Sequence, residues 1–170
     1  AREEERGADG ERQRDEYERA YAYAYDHGCA GGMRRRLRDL GFSIGRFPAG
    51  KLNAITDVGG VRVGHTTMIW GDGALEVGKG PVRTGVTAVW PRGKAQVAPV
   101  FAATHVLNGN GEMTGTHWVN ESGLLYGPML LTNTSSVGTV RDAIIAWALK
   151  RGRSFELSLP VVAETYDGIL

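Results

Sequence analysis

Two stretches between Leu52 and Trp90 alternate apolar and polar residues with the two-residue period of a half-buried strand. The first reads as a strand pair: Ala54-Ile55-Thr56-Asp57-Val58, a Gly59-Gly60 turn, then Val61 to Thr67. A glycine-rich connection, Gly71 to Gly80, leads to the second, Val82 to Trp90, which closes at Pro91-Arg92-Gly93. Val97 to Leu107 predicts a longer apolar strand and Leu124 to Asn133 another. The period then changes. From Ser136 to Arg151, Val137, Val140, Ile144 and Ala148 share one helical stripe, with Ala143 and Trp147 beside it. Lys150-Arg151-Gly152 suits the helix end, and Ser135 or Ser136 its N-cap. Ser158 to Thr165 reads as a buried strand, and the whole pattern predicts an α/β fold.

The two ends depart from this pattern. Residues 1 to 32 hold five arginines against nine acidic side chains, a local net of −4, and almost no Leu, Ile, Val or Phe. Such a segment buries too little to offset its ordering entropy, so we expect a disordered extension, with the folded portion spanning 33 to 170. At the other end Tyr166-Asp167-Gly168-Ile169-Leu170 stops in mid-pattern, and we expect the 170 residues to be the N-terminal portion of a longer domain.

Composition narrows the classes of function. Apolar residues make up 42% and charged ones 23%, ordinary globular usage, and the net charge of +1 offers no basic surface for nucleic acid. No apolar run approaches the roughly 20 residues that span a bilayer, so neither nucleic acid nor membrane is an expected partner. One cysteine, Cys29, allows no internal disulfide. No apolar signal segment precedes the charged leader, and a cytoplasmic location is the expectation.

Several apparent motifs carry no chemistry. Gly73 to Gly80 nearly spells the phosphate loop G-x-x-x-x-G-K-[ST], but Gly80 replaces the hydroxyl and Pro81 follows where a helix should begin. His27, His65, His105 and His117 lack ligand spacing; His65 and His105 read as core-edge residues and His117 as a loop residue. No G-x-S-x-G elbow supports a triad through Ser122. No metal or cofactor is expected.

The segment that stands out is Asn108-Gly109-Asn110-Gly111-Glu112-Met113-Thr114-Gly115. Its glycines permit close approach of another chain or a ligand, and one carboxylate sits among them. Glu112, held between two expected strands, is a candidate anchor for a cationic group. The same residues also describe a hairpin connection with a solvated Glu, and on composition alone that reading outweighs the site.

Leu52 to Val58, Gly64 to Thr67, the Asn108–Gly115 loop, Gly127 to Thr134, Ser136 to Ala143 and Pro160 to Gly168 resemble, in order and spacing, the DmpA-type aminopeptidases. These are the L-aminopeptidase/D-esterases and β-peptidyl aminopeptidases. The resemblance covers about Met33 to Leu170. It implies part of an α-β-β-α sandwich, made as a precursor that cuts itself before a Ser or Thr nucleophile. It also implies acyl transfer on a peptide, amino-acid amide or ester, a C-terminal (β) subunit from the same precursor, and homo-oligomers. Glu112 matches the family's amine-binding carboxylate, and Thr114 a position lining its substrate pocket. The oxyanion-hole Asn and the nucleophile have no counterpart among these residues, so no catalytic residue is assigned and the chain alone should be inactive. An ornithine acetyltransferase-like acyltransferase, or a degenerate binding or assembly protein, are the competing readings.

Overall fold

The computed structural model describes residues 37–42, 45–93, 98–152 and 159–166. The charged extension therefore lies outside the described residues, as does most of the Tyr166–Leu170 end.

A four-stranded sheet organises the chain: β1 (Arg62–Trp70), β2 (Val82–Trp90), β5 (Met129–Asn133) and β6 (Val161–Thr165), in the order β1-β2-β5-β6. β1 and β2 pair antiparallel along all nine residues, from Arg62 opposite Trp90 to Trp70 opposite Val82. Their connection is held by Arg83, whose guanidinium donates to the carbonyls of Trp70 (3.1 Å) and Gly71 (2.9 Å). β2 pairs antiparallel with β5, and β5 parallel with β6.

A parallel neighbour needs a crossover. Here it includes α2 (Val137–Lys150), which packs on β5 and β6. Its predicted stripe is the buried one: Val137, Val140, Ala143, Ile144, Trp147 and Ala148. These residues meet Val86, Ala88, Trp90, Leu130 and Val162 from the sheet, with Met68 at the margin. Trp90 and Trp147 lie with ring centroids 6.0 Å apart, tilted by 60°, and Arg151 sits 4.6 Å over the Trp147 ring. Each fully buried Leu, Ile or Val here contributes about 1.5–3 kcal/mol.

The sheet's other face carries His65, Thr67, Ile69, Arg83, Thr87, Leu131 and Thr165, which line a shallow depression of about 520 Å³. His65 is exposed rather than at a core edge, and its ring nitrogens lie 2.6 Å from Thr87 Oγ1 and 3.0 Å from Thr67 Oγ1.

Four further expectations are corrected. Ala54 to Val58 is no strand: Ile55–Asp57 form a 3-10 turn with Ile55 and Val58 exposed. The Asp57 carboxylate accepts from the amides of Leu52 (2.9 Å) and Ala54 (3.2 Å), a local arrangement that competes with ladder pairing. The expected Val97–Leu107 strand, beyond Val97 itself, reduces to β3 (Val100–Phe101), paired with β4 (Leu124–Leu125). Phe101, Val106 and Leu107 are exposed, and of the three only Phe101 pairs with another strand. The Leu124–Asn133 stretch divides into β4 and β5, because Gly127 (φ 74°) and Pro128 break the ladder between them. His117 lies not in a loop but in α1 (Thr116–Ser122), whose only buried residue is Val119. Ser136 precedes α2 as expected, yet its side chain makes no capping hydrogen bond.

Two glycines give opposite expectations. A Cβ at Gly85 would collide with the Thr66 carbonyl oxygen, whereas one at Gly138, in the first turn of α2, meets nothing within 4 Å. Gly85→Ala should lower the urea midpoint, while Gly138→Ala should raise stability by about 0.5–1 kcal/mol through helix propensity. Equilibrium denaturation of the two variants checks both.

Candidate functional site

The Asn108–Gly115 segment reaches across to the free edge of β6. Asn108 Oδ1 accepts from the Asn110 amide (2.9 Å), which shapes the turn. The chain then runs antiparallel to β6 for three residues. Glu164 N donates to Glu112 O (3.0 Å), Thr114 N donates to Val162 O (2.9 Å), and Met113 stands opposite Ala163. Glu112 thus falls opposite Glu164, and Thr114 opposite Val162.

Gly115 makes this approach possible, whereas Gly111 has room for a side chain. A Cβ at Gly111 would lie 3.4 Å from Glu164 Oε1. One at Gly115 would lie 2.8 Å from the carbonyl oxygens of both Leu159 and Pro160. Gly115 also takes φ 73°, the left-handed turn that starts α1. Of the two, Gly115 is the one that serves close approach of another chain segment.

Glu112 is exposed, and among the described residues its carboxylate has no cationic partner. The Glu112 backbone is tied to β6 through its carbonyl, while its side chain is exposed. Thr114 is half-buried and its hydroxyl is engaged: it donates to Pro160 O (2.7 Å) and accepts from Val162 N (3.0 Å).

In the near-phosphate-loop segment, Lys79 pairs with the Glu76 carboxylate at 2.7 Å, and the residues after Pro81 enter β2 instead of a helix. Among the described residues, no group of three or more His, Cys, Asp and Glu side chains converges as a metal site requires. Nor is any described helix long and apolar enough to cross a membrane.

Sequence reasoning missed two features. The hydroxyl-flanked His65 needed the β1–β2 register, which sets His65 opposite Thr87. Glu164 as the anchor of Glu112 needed a pairing across roughly fifty residues that no local signal announces; only the alternation of Val162 and Glu164 along β6 hinted at two anchor amides on one edge.

This fold has close counterparts. The profile of peptidase family S58 matches residues 53–170, and the chain belongs to that family. It is 54% identical over 143 residues to the β-peptidyl aminopeptidase BapA of Sphingosinicella microcystinivorans, covering 84% of this chain and 36% of that protein. A second BapA, from Sphingosinicella xenopeptidilytica, is 51% identical over 138 residues, with 79% and 34% covered. The chain therefore spans just over a third of the length of these relatives. Among solved structures, a Burkholderia sp. β-aminopeptidase superposes with a TM-score of 0.70 at 51% identity, covering 80% of this chain and 38% of that one. The L-aminopeptidase D-Ala-esterase/amidase of Ochrobactrum anthropi, a prototype serine aminopeptidase with a variant Ntn hydrolase fold, gives 0.69 at 42% identity, with 81% and 39% covered.

If three backbone-paired residues hold the loop, the amides of Thr114 and Glu164 should exchange with solvent far more slowly than those of Gly109 and Gly111. Gly115→Ala should erase that protection. Amide hydrogen exchange resolved by residue reads both.

Proposed function

We propose that this chain is the amine-binding part of an aminopeptidase that releases N-terminal residues from peptides, amino-acid amides or esters. The observation that carries the reading is Glu112: an exposed carboxylate with no cation beside it among the described residues, on a backbone fixed by hydrogen bonds to β6. An aminopeptidase must recognise a free ammonium group at its first subsite. A carboxylate accepting a charge-assisted hydrogen bond from it supplies about 1.5–3 kcal/mol. Glu164, opposite Glu112 on the neighbouring strand, adds to the negative potential there. Two carboxylates directly opposed across strands are unfavourable by themselves, and a bound cation relieves that repulsion.

Membership of peptidase family S58 and the aminopeptidase names of the relatives support the reaction class. We place the nucleophile, a Ser or Thr exposed as a new N-terminus by self-cleavage, in the part of the precursor that these residues do not include. Its hydroxyl would attack the carbonyl carbon next to the anchored amine, forming an acyl-enzyme and expelling the amine or alcohol; water then releases the amino acid. In the same reading, the open face of the sheet, with His65, Thr67, Thr87 and Leu131, receives the second sheet of an α-β-β-α sandwich.

Two measurements test this. In the full-length precursor, Glu112→Gln should lower kcat/KM for aminoacyl p-nitroanilides by about 10- to 100-fold, mostly through KM, the kinetic equivalent of losing one charge-assisted bond. An unchanged KM would remove Glu112 from the amine subsite. The 170-residue chain alone should release no p-nitroaniline, and turnover by it would refute the placement of the nucleophile.

A further inference from the structure

The way Thr114 joins the loop to β6 departs from an ordinary ladder. In an antiparallel pair, residues flanking a non-hydrogen-bonded pair exchange two backbone bonds, N–H to C=O in each direction. Met113 and Ala163 form such a pair, so Thr114 and Val162 should exchange both. They exchange one: Thr114 N donates to Val162 O at 2.9 Å. The other donor, Val162 N, goes to Thr114 Oγ1 at 3.0 Å. The next residue explains why. Gly115 turns left-handed to begin α1, and the backbone leaves the ladder at that point.

The hydroxyl does more than stand in for a carbonyl. It also donates to Pro160 O at 2.7 Å. Pro160 is buried and, as a proline, brings no N–H of its own to the entrance of β6. One side chain therefore satisfies the first donor and the first acceptor along this edge of β6. A hydroxyl has one proton to give, and Thr114 has given it to Pro160. It has none left to offer a substrate.

We infer that Thr114 is a positioning residue: its hydroxyl completes the ladder that holds the loop to β6 and so fixes where Glu112, two residues earlier, presents its carboxylate. The inference rests on the reading of Glu112 as the amine anchor. Without the hydroxyl, Val162 N–H and Pro160 C=O lose their partner, and the loop must shift to satisfy them or leave them unpaired. Displacement on the order of 1 Å at a charge-assisted contact is enough to weaken it severely.

The test is a double-mutant cycle in the full-length precursor, with kcat and KM measured on an aminoacyl p-nitroanilide and urea midpoints recorded alongside. Thr114→Val should raise KM on the order of tenfold with kcat little changed, since the group lost acts through binding. Thr114→Ser keeps the hydroxyl and should restore a near wild-type KM. Because both residues act through one contact, Glu112→Gln with Thr114→Val should be no worse than Glu112→Gln alone. A Thr114→Val KM equal to wild type, while Glu112→Gln raises it, overturns the positioning role and leaves the amine anchor standing. Effects that multiply in the double variant overturn it as well, because Thr114 would then be acting independently of Glu112. If Glu112→Gln leaves KM unchanged, the anchor reading fails, and the positioning role fails with it. Should Thr114→Val not fold, Thr114→Ala against Thr114→Ser carries the same comparison.

Discussion

β6 runs parallel to β5, and this one constraint organises what surrounds it. Antiparallel neighbours can be joined by a tight turn, but a parallel one is reached only by crossing the face of the sheet. The crossing is made through α2, which buries Val137, Val140, Ile144 and Trp147 against Leu130 and Val162. Among the described residues the same strand ends the sheet, and its outer amides and carbonyls take partners from elsewhere in the chain. An open edge is a liability that proteins cover. Here the cover is the glycine-rich loop, and the cover carries the carboxylate. Core packing on one face and the presentation of Glu112 at the edge thus share five residues of backbone, Val161–Thr165.

Much of this was readable in the sequence where a local period met a local partner. β1 and β2 lie next to each other in sequence, pair along their full length, and show the alternation of a half-buried hairpin. α2 has a stripe broad enough to fix which side is buried, and all six residues assigned to it are buried. Reading failed where a side chain or a distant partner decided the outcome. Asp57 folds its carboxylate back onto the amides of Leu52 and Ala54, and a promising strand becomes a turn. Phe101, Val106 and Leu107 are as apolar as any strand residue, yet only Val100–Phe101 finds a partner. α1 has no apolar stripe; its only signals were the flanking Gly115 and Gly123, both left-handed caps.

For the candidate site, residue type was legible and attachment was not. A lone glutamate among glycines and asparagines suggested either a solvated turn or an anchor, and the sequence alone favoured the turn. The docking of residues 112–114 on β6, which fixes the backbone that carries this glutamate, had no signal in the sequence. Thr114 shows the converse case. Its place in the motif suggested a pocket wall, and its two short hydrogen bonds, which no sequence pattern announced, tie it to the start of β6.

The seam between loop and strand is only three residues long, and Val162 is the one member of the core cluster in it, joined there through its backbone. A seam of that size constitutes a separate, weaker cooperative unit than the sheet and α2, which are stapled together by buried apolar surface. Opening it would expose a few amides and leave the core intact. A melting temperature therefore reports on the core and is blind to the seam, so loop docking and global stability are two properties of this chain that evolution can adjust one at a time.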